Sequence, residues 1–412
     1  MKTDVIVLGA GMIGTCTALQ LIKRGHSVAL LDRKAPGRET SFGNAGIIQT
    51  EAVEPYAFPR QWTKLFEVMA KGGADVNYHL SALPGIAPDL IRYWWNSGAK
   101  RYASICQAWS SLIRHAVTEH APFIEEAGAS DLVTKDGWLE VFRSQQALDR
   151  EASIAERKYQ QYGVPYKLLN SQQLAQMEPA LSGRLAGAIQ WTDPWPVRSP
   201  GDLVQRYAEL FTQLGGQLLR GDAASLQPEG AGWSVTSSDG KVEAEQVVLA
   251  LGPWSKRVAH QLGYRIPLFI KRGYHRHYKA PKMPNHPYLD VEVGAMLAPM
   301  VGGLRMTTGA EFAAMGDEPT PVQVTKSERR LREIIDLGAG IEAEPWMGNR
   351  PCMVDMKPVI GAAPRHKGLW FHFGHAHQGF TLGHASGRLM AELISGETPY
   401  EDPEPFSPAR FS

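Results

Sequence analysis

The stretch Val5–Gly14 reads VIVLGAGMIG and begins after only four residues of the chain. Its four leading apolar residues are typical of a buried strand, and its glycines form the pattern GxGxxG. Gly9 permits a tight turn, Gly11 lets the backbone approach a pyrophosphate, and Gly14 allows helix and strand to pack closely. Asp32 ends the next apolar run and is placed to accept a hydrogen bond from a ribose hydroxyl. The stretch predicts a nucleotide-binding βαβ unit, and by itself it does not separate NAD from FAD.

The length, composition and net charge of the chain exclude some classes of function. The chain has 412 residues, of which 43% are hydrophobic, and a formal net charge of +1. This length is enough for two domains, and the near-neutral charge predicts no nucleic-acid partner. Cys16, Cys106 and Cys352 are too few and too widely spaced to predict a disulfide framework or a thiolate metal site.

Two features bear on location. The first strand begins at about Asp4, which leaves no room for a signal peptide, and no apolar run is long enough to span a bilayer. We therefore expect a cytoplasmic protein. The cluster Tyr93-Trp94-Trp95 is a candidate patch for peripheral contact at the inner face of a membrane, although such clusters are more typical of a helix core.

The C-terminal segment separates the two cofactors. An apolar run, Trp370–Phe373, is followed by the glycine-rich turn Gly374–Gly383 and an amphipathic helix, Ala385–Ile394. A reduced flavin carries negative charge near N1 and the C2 carbonyl, which backbone N–H groups and the positive end of a helix stabilise. An NAD enzyme has no need of such a group, so the segment favours FAD. His375 and His377 lie in this turn without nearby carboxylates, and we predict no metal site.

The spacing of these signals predicts an α/β fold. A Rossmann-like FAD-binding domain is interleaved with an α+β substrate domain built on an antiparallel sheet. The predicted FAD-binding segments are residues 1–69, 193–266 and 349–412. The last of these includes a C-terminal tail, which we expect to be loose from Pro399 onward because it is rich in proline and serine.

The predicted substrate domain consists of residues 70–192 and 267–348. The first segment is mostly helical in pattern, with an embedded strand near Gly137–Phe142. The second alternates like antiparallel strands before a charged helix, Lys326–Leu337. Together they would form a layer on the substrate side of the cofactor.

Several stretches carry a family resemblance. They are the opening fingerprint, Glu39–Gly46 (ETSFGNAG), Trp346–Pro351 (WMGNRP) with Pro358–Gly361 (PVIG), and the Gly374-His375 turn with its helix. Over nearly the whole length, the chain resembles the FAD-dependent D-amino-acid dehydrogenases of the amino-acid oxidase superfamily, the DAO type. Where many such dehydrogenases have a Gly-His-Gly turn, residues 375–378 read HAHQ. This variant is similar to relatives that act on cyclic or secondary amino acids such as hydroxy-D-proline.

The resemblance implies oxidation of a D-amino acid, with a primary or cyclic secondary amine, to its imino or keto acid by hydride transfer to flavin N5. Electrons would pass to a quinone or similar acceptor, and a membrane quinone is one candidate. The alternatives are an amino-acid oxidase that uses dioxygen, and an FAD-binding subunit that needs a partner in a larger dehydrogenase complex. A flavin monooxygenase is disfavoured because Val359–Ala363 stands where a Gly-Asp pair is expected.

The fingerprint and the resemblance together imply noncovalent FAD. Some relatives tether the flavin through a cysteine, and lining up Asp355 with their strand puts the tether position near Gly348 rather than at Cys352. By similarity, the isoalloxazine would lie along Ser41, Asn44, Ala45 and Gly46. Its pyrimidine end would lie at residues 379–381, and the adenine contact would fall near Ala224. The predicted cofactor-binding residues are Gly9, Gly11, Met12, Ile13, Gly14, Asp32, Arg33, Ser41, Asn44, Ala45, Gly46, Ile47, Ala224, Ala250, Gly252, Trp254, Gln378, Gly379, Phe380 and Thr381.

The chemistry requires a fixed carboxylate and a Cα–H aimed at flavin N5 from about 3 to 3.5 Å. Arg350 is the best candidate to bind that carboxylate, because a guanidinium group does so bidentately. By resemblance, Tyr274 and Arg272 lie on a strand that lines the pocket, and His375 of the turn completes the candidate catalytic set. Tyr56 is either part of a lid or a packing residue. We find no convincing general base, and none is required where binding lowers the pKa of the amine.

Overall fold

The computed structural model describes residues 1–61 and 76–412. The predicted domain boundary between residues 69 and 70 lies outside the described residues. Most strands within the described ranges belong to one of two sheets, of seven and ten strands. The strands are β1 (Lys2–Leu8), β2 (Val28–Asp32), β3 (Ile47–Ile48), β4 (Val76–Tyr78), β5 (Trp138–Phe142), β6 (Tyr166–Asn170), β7 (Gly187–Trp191), β8 (Trp195–Pro196), β9 (Gln217–Glu229), β10 (Gly232–Ser237), β11 (Gly240–Leu249), β12 (Leu268–Tyr278), β13 (Tyr288–Asp290), β14 (Ala295–Met300), β15 (Gly303–Thr307), β16 (Ala310–Phe312), β17 (Trp346–Met353), β18 (Val359–Ala362) and β19 (Leu369–Phe373).

The α-helices of the described ranges lie outside these sheets. None of them combines the length and the apolar character that crossing a bilayer requires. The helices are α1 (Met12–Ile22), α2 (Leu83–Asn96), α3 (Ala99–Ile113), α4 (Ala116–Glu126), α5 (Gln145–Tyr162), α6 (Ser171–Met177), α7 (Pro200–Gln213), α8 (Ser255–Gln261), α9 (Val322–Leu331) and α10 (Gly383–Ser395).

The seven-stranded sheet is built around the opening βαβ unit. β1 pairs in parallel with β2 on one side and β11 on the other, and β19 continues the parallel order beyond β11. Residues 5–8 are fully buried. Gly9 has a φ of 108°, and a Cβ there would lie 2.5 Å from the Ala250 carbonyl oxygen. The turn after β1 therefore accepts only glycine.

The ten-stranded sheet is mainly antiparallel, with β12 paired to β15, β16 and β17. The predicted α/β fold, with a parallel nucleotide-binding sheet and a second antiparallel sheet, is confirmed. The predicted boundary between residues 348 and 349 falls inside β17, because hydrogen bonding to β12 continues as far as Met353. The predicted helix Lys326–Leu337 begins and ends earlier, at Val322 and Leu331.

The C-terminal tail is anchored, so the expectation of a loose segment from Pro399 onward is wrong. Two short 3-10 helices, Glu404–Phe406 and Pro408–Phe411, follow α10. The Phe406 side chain is fully buried against the main core. Burial of an aromatic ring offsets the conformational entropy that the tail loses when it becomes ordered. The proline- and serine-rich composition does not reveal this contact.

Arg410 provides a second anchor. Its Nε donates to Asp355 Oδ2 at 2.8 Å, and its Nη2 donates to the carbonyls of Lys357 and Pro358 at 3.0 and 2.9 Å. Its Nη1 donates to the carbonyls of Phe406 and Ser407. One side chain therefore joins the last turn of the protein to the segment between β17 and β18.

Replacing Arg410 with methionine tests this anchor. We expect a loss of about 2 to 4 kcal/mol in the free energy of unfolding, because the Asp355 carboxylate and several carbonyls lose a charged donor. Chemical denaturation measures it. The control is Arg114→Met, which removes another 2.8 Å arginine contact, to Glu401, but at an exposed site where the loss should stay below about 1 kcal/mol. Equal effects of the two substitutions would contradict the assignment.

Candidate active site

A cavity of about 700 Å³ extends from the turn after β1 to the face of the ten-stranded sheet formed by β12 and β17. Most residues predicted from the sequence to bind cofactor or substrate line it. They are Gly9, Gly11, Met12, Ile13, Asp32, Arg33, Ser41, Asn44, Ala45, Ile47, Ala224, Ala250, Gly252, Trp254, Tyr274, Arg350, His375, Gly379 and Phe380.

Asp32 organises one end of this cavity. Its Oδ2 accepts a hydrogen bond from the Ala10 N–H at 2.7 Å, and its Oδ1 accepts from the Lys34 N–H at 3.0 Å. Burial raises the pKa of this carboxyl from its usual value. A carboxylate can accept about four hydrogen bonds, so Asp32 retains acceptor capacity for a hydroxyl group in the cavity. Arg33, the next residue, lies over the Trp254 ring at 4.3 Å.

The N-terminus of α1 forms an anion cradle beside Asp32. Gly11 is the N-cap and contributes no side-chain hydrogen bond of its own, and it lines the cavity at the positive end of the helix dipole. The Ser41 Oγ accepts from the Met12 N–H at 3.0 Å. A Cβ at Gly11 would approach this Oγ to 3.3 Å and project into the cradle. The geometry fits a pyrophosphate group.

Four predicted cofactor residues lie behind the cavity wall: Gly14, Gly46, Gln378 and Thr381. The Gln378 Nε2 donates to Gln49 Oε1 at 2.6 Å, and the Thr381 Oγ1 donates to the Ile47 carbonyl at 3.3 Å. Gly14 packs directly on the Gly9 carbonyl. These residues lie outside the cavity lining, and the close packing of Gly14 is the role that the fingerprint predicts for it.

The glycine-rich turn after β19 contributes a neutral imidazole. The His375 Nε2 lies 3.1 Å from Ser386 Oγ, and that hydroxyl donates to the Leu382 carbonyl within α10. The same hydroxyl also lies 3.0 Å from His372 Nε2, so two imidazoles contact it. Burial lowers the pKa of His375 to about 3. Ala376 has a φ of 51°, which is uncommon for a residue with a side chain and marks a strained turn.

The register between β12 and β17 determines the opposite end of the cavity. Lys271 stands directly opposite Arg350, and Gly273 stands opposite Gly348. Side chains alternate along a strand, and these four residues line the cavity together with Cys352.

The Arg350 side chain lies across Gly273 of β12. Its Nη1 donates to the Gly309 carbonyl at 2.9 Å and its Nη2 to the Thr308 carbonyl at 3.2 Å. A Cβ at Gly273 would collide with the guanidinium, so the flat strand is required for this position. Burial lowers the pKa of Arg350 from its ordinary value. Among the described residues no carboxylate pairs with it, and the guanidinium can therefore bind a carboxylate ligand.

Arg272 lies on the other face of β12, and its predicted contact with substrate is corrected. It is fully buried, and its guanidinium donates to the backbone carbonyls of Ala314, Asp317 and Glu318. Its Nη1 also lies 3.7 Å from Glu311 Oε2. These contacts use the guanidinium to hold residues 314–318, and they leave it outside the cavity lining.

Tyr274 lies on the same face of β12 as Arg272, and its predicted contact with substrate is also corrected in part. Tyr274 is among the residues that line the cavity, but its hydroxyl donates to Glu311 Oε2 at 2.5 Å and accepts from the Thr320 N–H at 2.9 Å. Burial raises the pKa of Tyr274 to about 12. The hydroxyl is therefore committed to the protein, and it is not directed at a ligand.

The sequence analysis missed Lys271. Its Nζ donates to Tyr93 Oη at 3.0 Å and lies 4.3 Å from the centre of that ring. The signal was present, because alternation along β12 places residues 271 and 272 on opposite faces. Choosing between them required the register with β17.

His377 and Tyr56 close this end of the cavity. Their rings are 4.7 Å apart. Burial, together with the charges of Arg350 and Lys271, lowers the pKa of His377 to about 3. The side chain is therefore a neutral imidazole in a positive field. Tyr56 exposes 69% of its surface and lines the cavity, which agrees with a position at the entrance.

One group among the described residues could resemble a metal site: His275, His277 and Glu342. The His277 Nδ1 is 2.5 Å from Glu342 Oε1, and its Nε2 accepts from Arg305 Nε at 2.9 Å. Both ring nitrogens are thus occupied, and the adjacent guanidinium opposes a bound cation. We therefore assign no metal site to these three residues.

Comparisons with known proteins agree with this geometry. Residues 4–393 match the family DAO, described as FAD dependent oxidoreductase. The chain belongs to this family. It is 29% identical to a D-amino-acid oxidase of Bradyrhizobium diazoefficiens over 417 aligned residues, which cover 99% of this chain and 98% of the relative.

Two solved structures illustrate the shared fold. A glycine oxidase from Geobacillus kaustophilus has a TM-score of 0.76 at 20% identity, and the match covers 98% of each chain. An L-proline dehydrogenase from P. horikoshii has a TM-score of 0.75 at 19% identity, covering 100% of this chain and 98% of the other. The predicted family resemblance and the predicted FAD cofactor are confirmed. Asp32 and the α1 cradle are the part of this chain that would hold the ribose and pyrophosphate.

Replacing Asp32 with alanine should weaken FAD retention. The substitution removes a charge-assisted hydrogen bond to the ribose worth about 1.5 to 3 kcal/mol, and it frees the Ala10 N–H. The measurement is the FAD released by acid precipitation after extensive dialysis. Asp239→Ala, at an exposed turn, is the control. Full retention in Asp32→Ala would place the ribose contact elsewhere, and flavin that stays in the wild-type pellet would contradict noncovalent binding.

Proposed function

We propose that this protein is an FAD-dependent oxidoreductase that oxidises a D-amino acid, with a primary or cyclic secondary amine, at its Cα–N bond. The observation that supports the substrate class is Arg350, a guanidinium in the cavity wall whose described partners are backbone carbonyls alone. A planar fork of donors suits the α-carboxylate. D-specificity rests on the sequence resemblance and on the name of the curated relative.

Binding would position the substrate between the two sheets. Arg350, on β17, would fix the carboxylate, and the cradle of α1 would fix the cofactor on the other sheet. When bound, the flavin of FAD supplies the hydride acceptor. Orientation accounts for much of the rate in such a reaction, because bond making needs a defined approach of about 3 to 3.5 Å.

The same site would favour the neutral amine. The field of Arg350 and Lys271 that lowers the pKa of His377 acts in the same direction on a bound ammonium group. The acidic residues that line the described cavity, Asp32, Glu39 and Asp222, lie in the segments around the α1 cradle. None of them forms an ion pair with Arg350, so deprotonation by a lowered amine pKa is the proposed route, and the imine would hydrolyse in solution.

Arg350→Leu is the sharpest test of this function. The substrate carboxylate would be desolvated without a bidentate partner, so kcat/KM should fall by the equivalent of about 2 to 5 kcal/mol. Arg350→Lys should recover only part of the loss, because a point charge cannot reproduce the planar fork. Arg332→Leu, which removes a surface arginine paired with Glu328, is the control. FAD content should be unchanged in all three.

Two outcomes would revise the assignment. Near-normal kcat/KM in Arg350→Leu with flavin fully bound would mean that another residue holds the carboxylate, and Lys271 would be tested next. Loss of flavin would place Arg350 in the cofactor site. The substrates are a panel of D- and L-amino acids with D-proline and both hydroxyprolines, assayed by anaerobic bleaching of the flavin. A flavin that no amino acid bleaches would favour the alternative of a noncatalytic subunit.

For the electron acceptor, we propose a quinone or similar organic acceptor. This choice rests on the dehydrogenase resemblance, and the oxidase named among the relatives supports dioxygen as the second candidate. We expect dye reduction to be much faster than peroxide formation under matched conditions, because electrons would leave the flavin to an organic oxidant. Peroxide formed in step with substrate consumption, at a rate equal to that with dye, would assign the protein as an oxidase.

Membrane contact would use part of the predicted patch. Tyr93 is buried, but Trp94 and Trp95 expose 37% and 56% of their surfaces. Arg60 and Arg101 lie over these rings, at 4.1 and 4.6 Å. We propose this pair of tryptophans as the contact through which a membrane quinone would be reached, and sedimentation with anionic vesicles tests it.

A further inference from the structure

We propose that Lys271 binds a second acidic group of the substrate, so that the preferred substrate is an amino acid with an anionic side chain. This inference rests on the proposed function. Lys271 and Arg350 are directly opposed residues of an antiparallel pair. Opposed side chains project from the same face, with Cβ atoms about 4.5 to 5.5 Å apart. Both side chains line the same cavity.

Within the described ranges, the two cations at this end of the cavity lack direct carboxylate partners. In the described part of the chain, no carboxylate pairs with Lys271 or with Arg350. Two other partly buried cations do have such partners: Arg143 lies 2.8 Å from Asp290, and Arg410 lies 2.8 Å from Asp355. An α-carboxylate would neutralise one of the two cavity cations. A second carboxylate on the same substrate would neutralise the other.

The two cations diverge from their shared position on the sheet. Arg350 extends over Gly273 toward the carbonyls of residues 308 and 309. Lys271 extends toward Tyr93 and lies 5.6 and 5.8 Å from the rings of Phe269 and Phe312. Two acidic groups on one substrate could therefore each meet a different cation, and the aromatic rings beside Lys271 suit the methylene groups between them.

Lys271 has unused capacity for a ligand. An ammonium group has three donors, and the described contacts of Lys271 use one, to Tyr93 Oη. The Tyr93 hydroxyl in turn donates to the Tyr56 carbonyl. The structural alternative is that Lys271 serves only to hold this tyrosine, with the aromatic rings stabilising its charge.

Acid and amide substrates of equal size separate these two roles. The holoenzyme is assayed anaerobically with D-aspartate against D-asparagine and with D-glutamate against D-glutamine. For at least one pair we expect kcat/KM of the acid to exceed that of the amide by tenfold or more. In Lys271→Met the ratio should fall to about one, and Lys271→Arg should restore most of it. The ratio is the readout, because effects on the shared amino-acid frame cancel.

A binding measurement provides an independent readout. Glutarate and succinate are titrated into the oxidised holoenzyme against their monoamides, and the flavin absorbance reports the Kd. The wild type should prefer at least one diacid by tenfold or more, and Lys271→Met should lose the preference. Lys256→Met, which changes an exposed lysine outside the cavity lining, should retain it.

The outcomes also separate this inference from the proposed function. Amino acids that bleach the flavin without any preference for the acids would overturn the role of Lys271 and leave the proposed function intact. A preference that persists in Lys271→Met would also overturn it. If no amino acid bleaches the flavin but the diacids still bind with a Lys271-dependent preference, the proposed function fails and the anion subsite stands.

Discussion

The substrate end of this protein depends on the backbone pairing of β12 and β17. The pairing brings one residue of each strand, Lys271 and Arg350, onto the wall of the cavity, and it places two glycines beside them. A slip of β17 by one residue against β12 would turn Arg350 to the other face of the sheet, while Lys271 stayed on the cavity wall. The hydrogen-bonded ladder therefore determines the charge of the cavity, although none of its own groups needs to touch a ligand.

The parts that could be predicted from the sequence are those whose physical requirements are local. The turn after β1 needs glycine at position 9 because of its φ and its contact with Ala250, and both requirements are met within one βαβ unit and its neighbouring strand. Arg350 was identified from a specific motif, and the structure places it on the cavity wall. Its role in binding substrate stays a prediction.

Other features depend on contacts between distant segments. Arg272 and Lys271 are adjacent cations, and only the partner strand decides which of them faces the cavity. The tail is polar in composition, yet Phe406 and Arg410 anchor it through residues more than fifty positions away. The backbone of Ala376 could not be predicted for a different reason. Its φ is 51°, although the residue is an alanine at a position where the family pattern has a glycine. Backbone geometry there is set by the surrounding turn.

The connection between the two sheets gives the C-terminus a mechanical role. Residues 354–358 form the direct link from β17, which carries Arg350, to β18 of the cofactor-binding sheet. Arg410 donates hydrogen bonds to Asp355 and to two backbone carbonyls of this link. Met356, within the same link, lines the cavity. Arg410 thus stabilises the segment that connects the substrate-side sheet to the cofactor-binding sheet. A tag fused at Ser412 would therefore be attached two residues from the Arg410 contacts that hold this link in place.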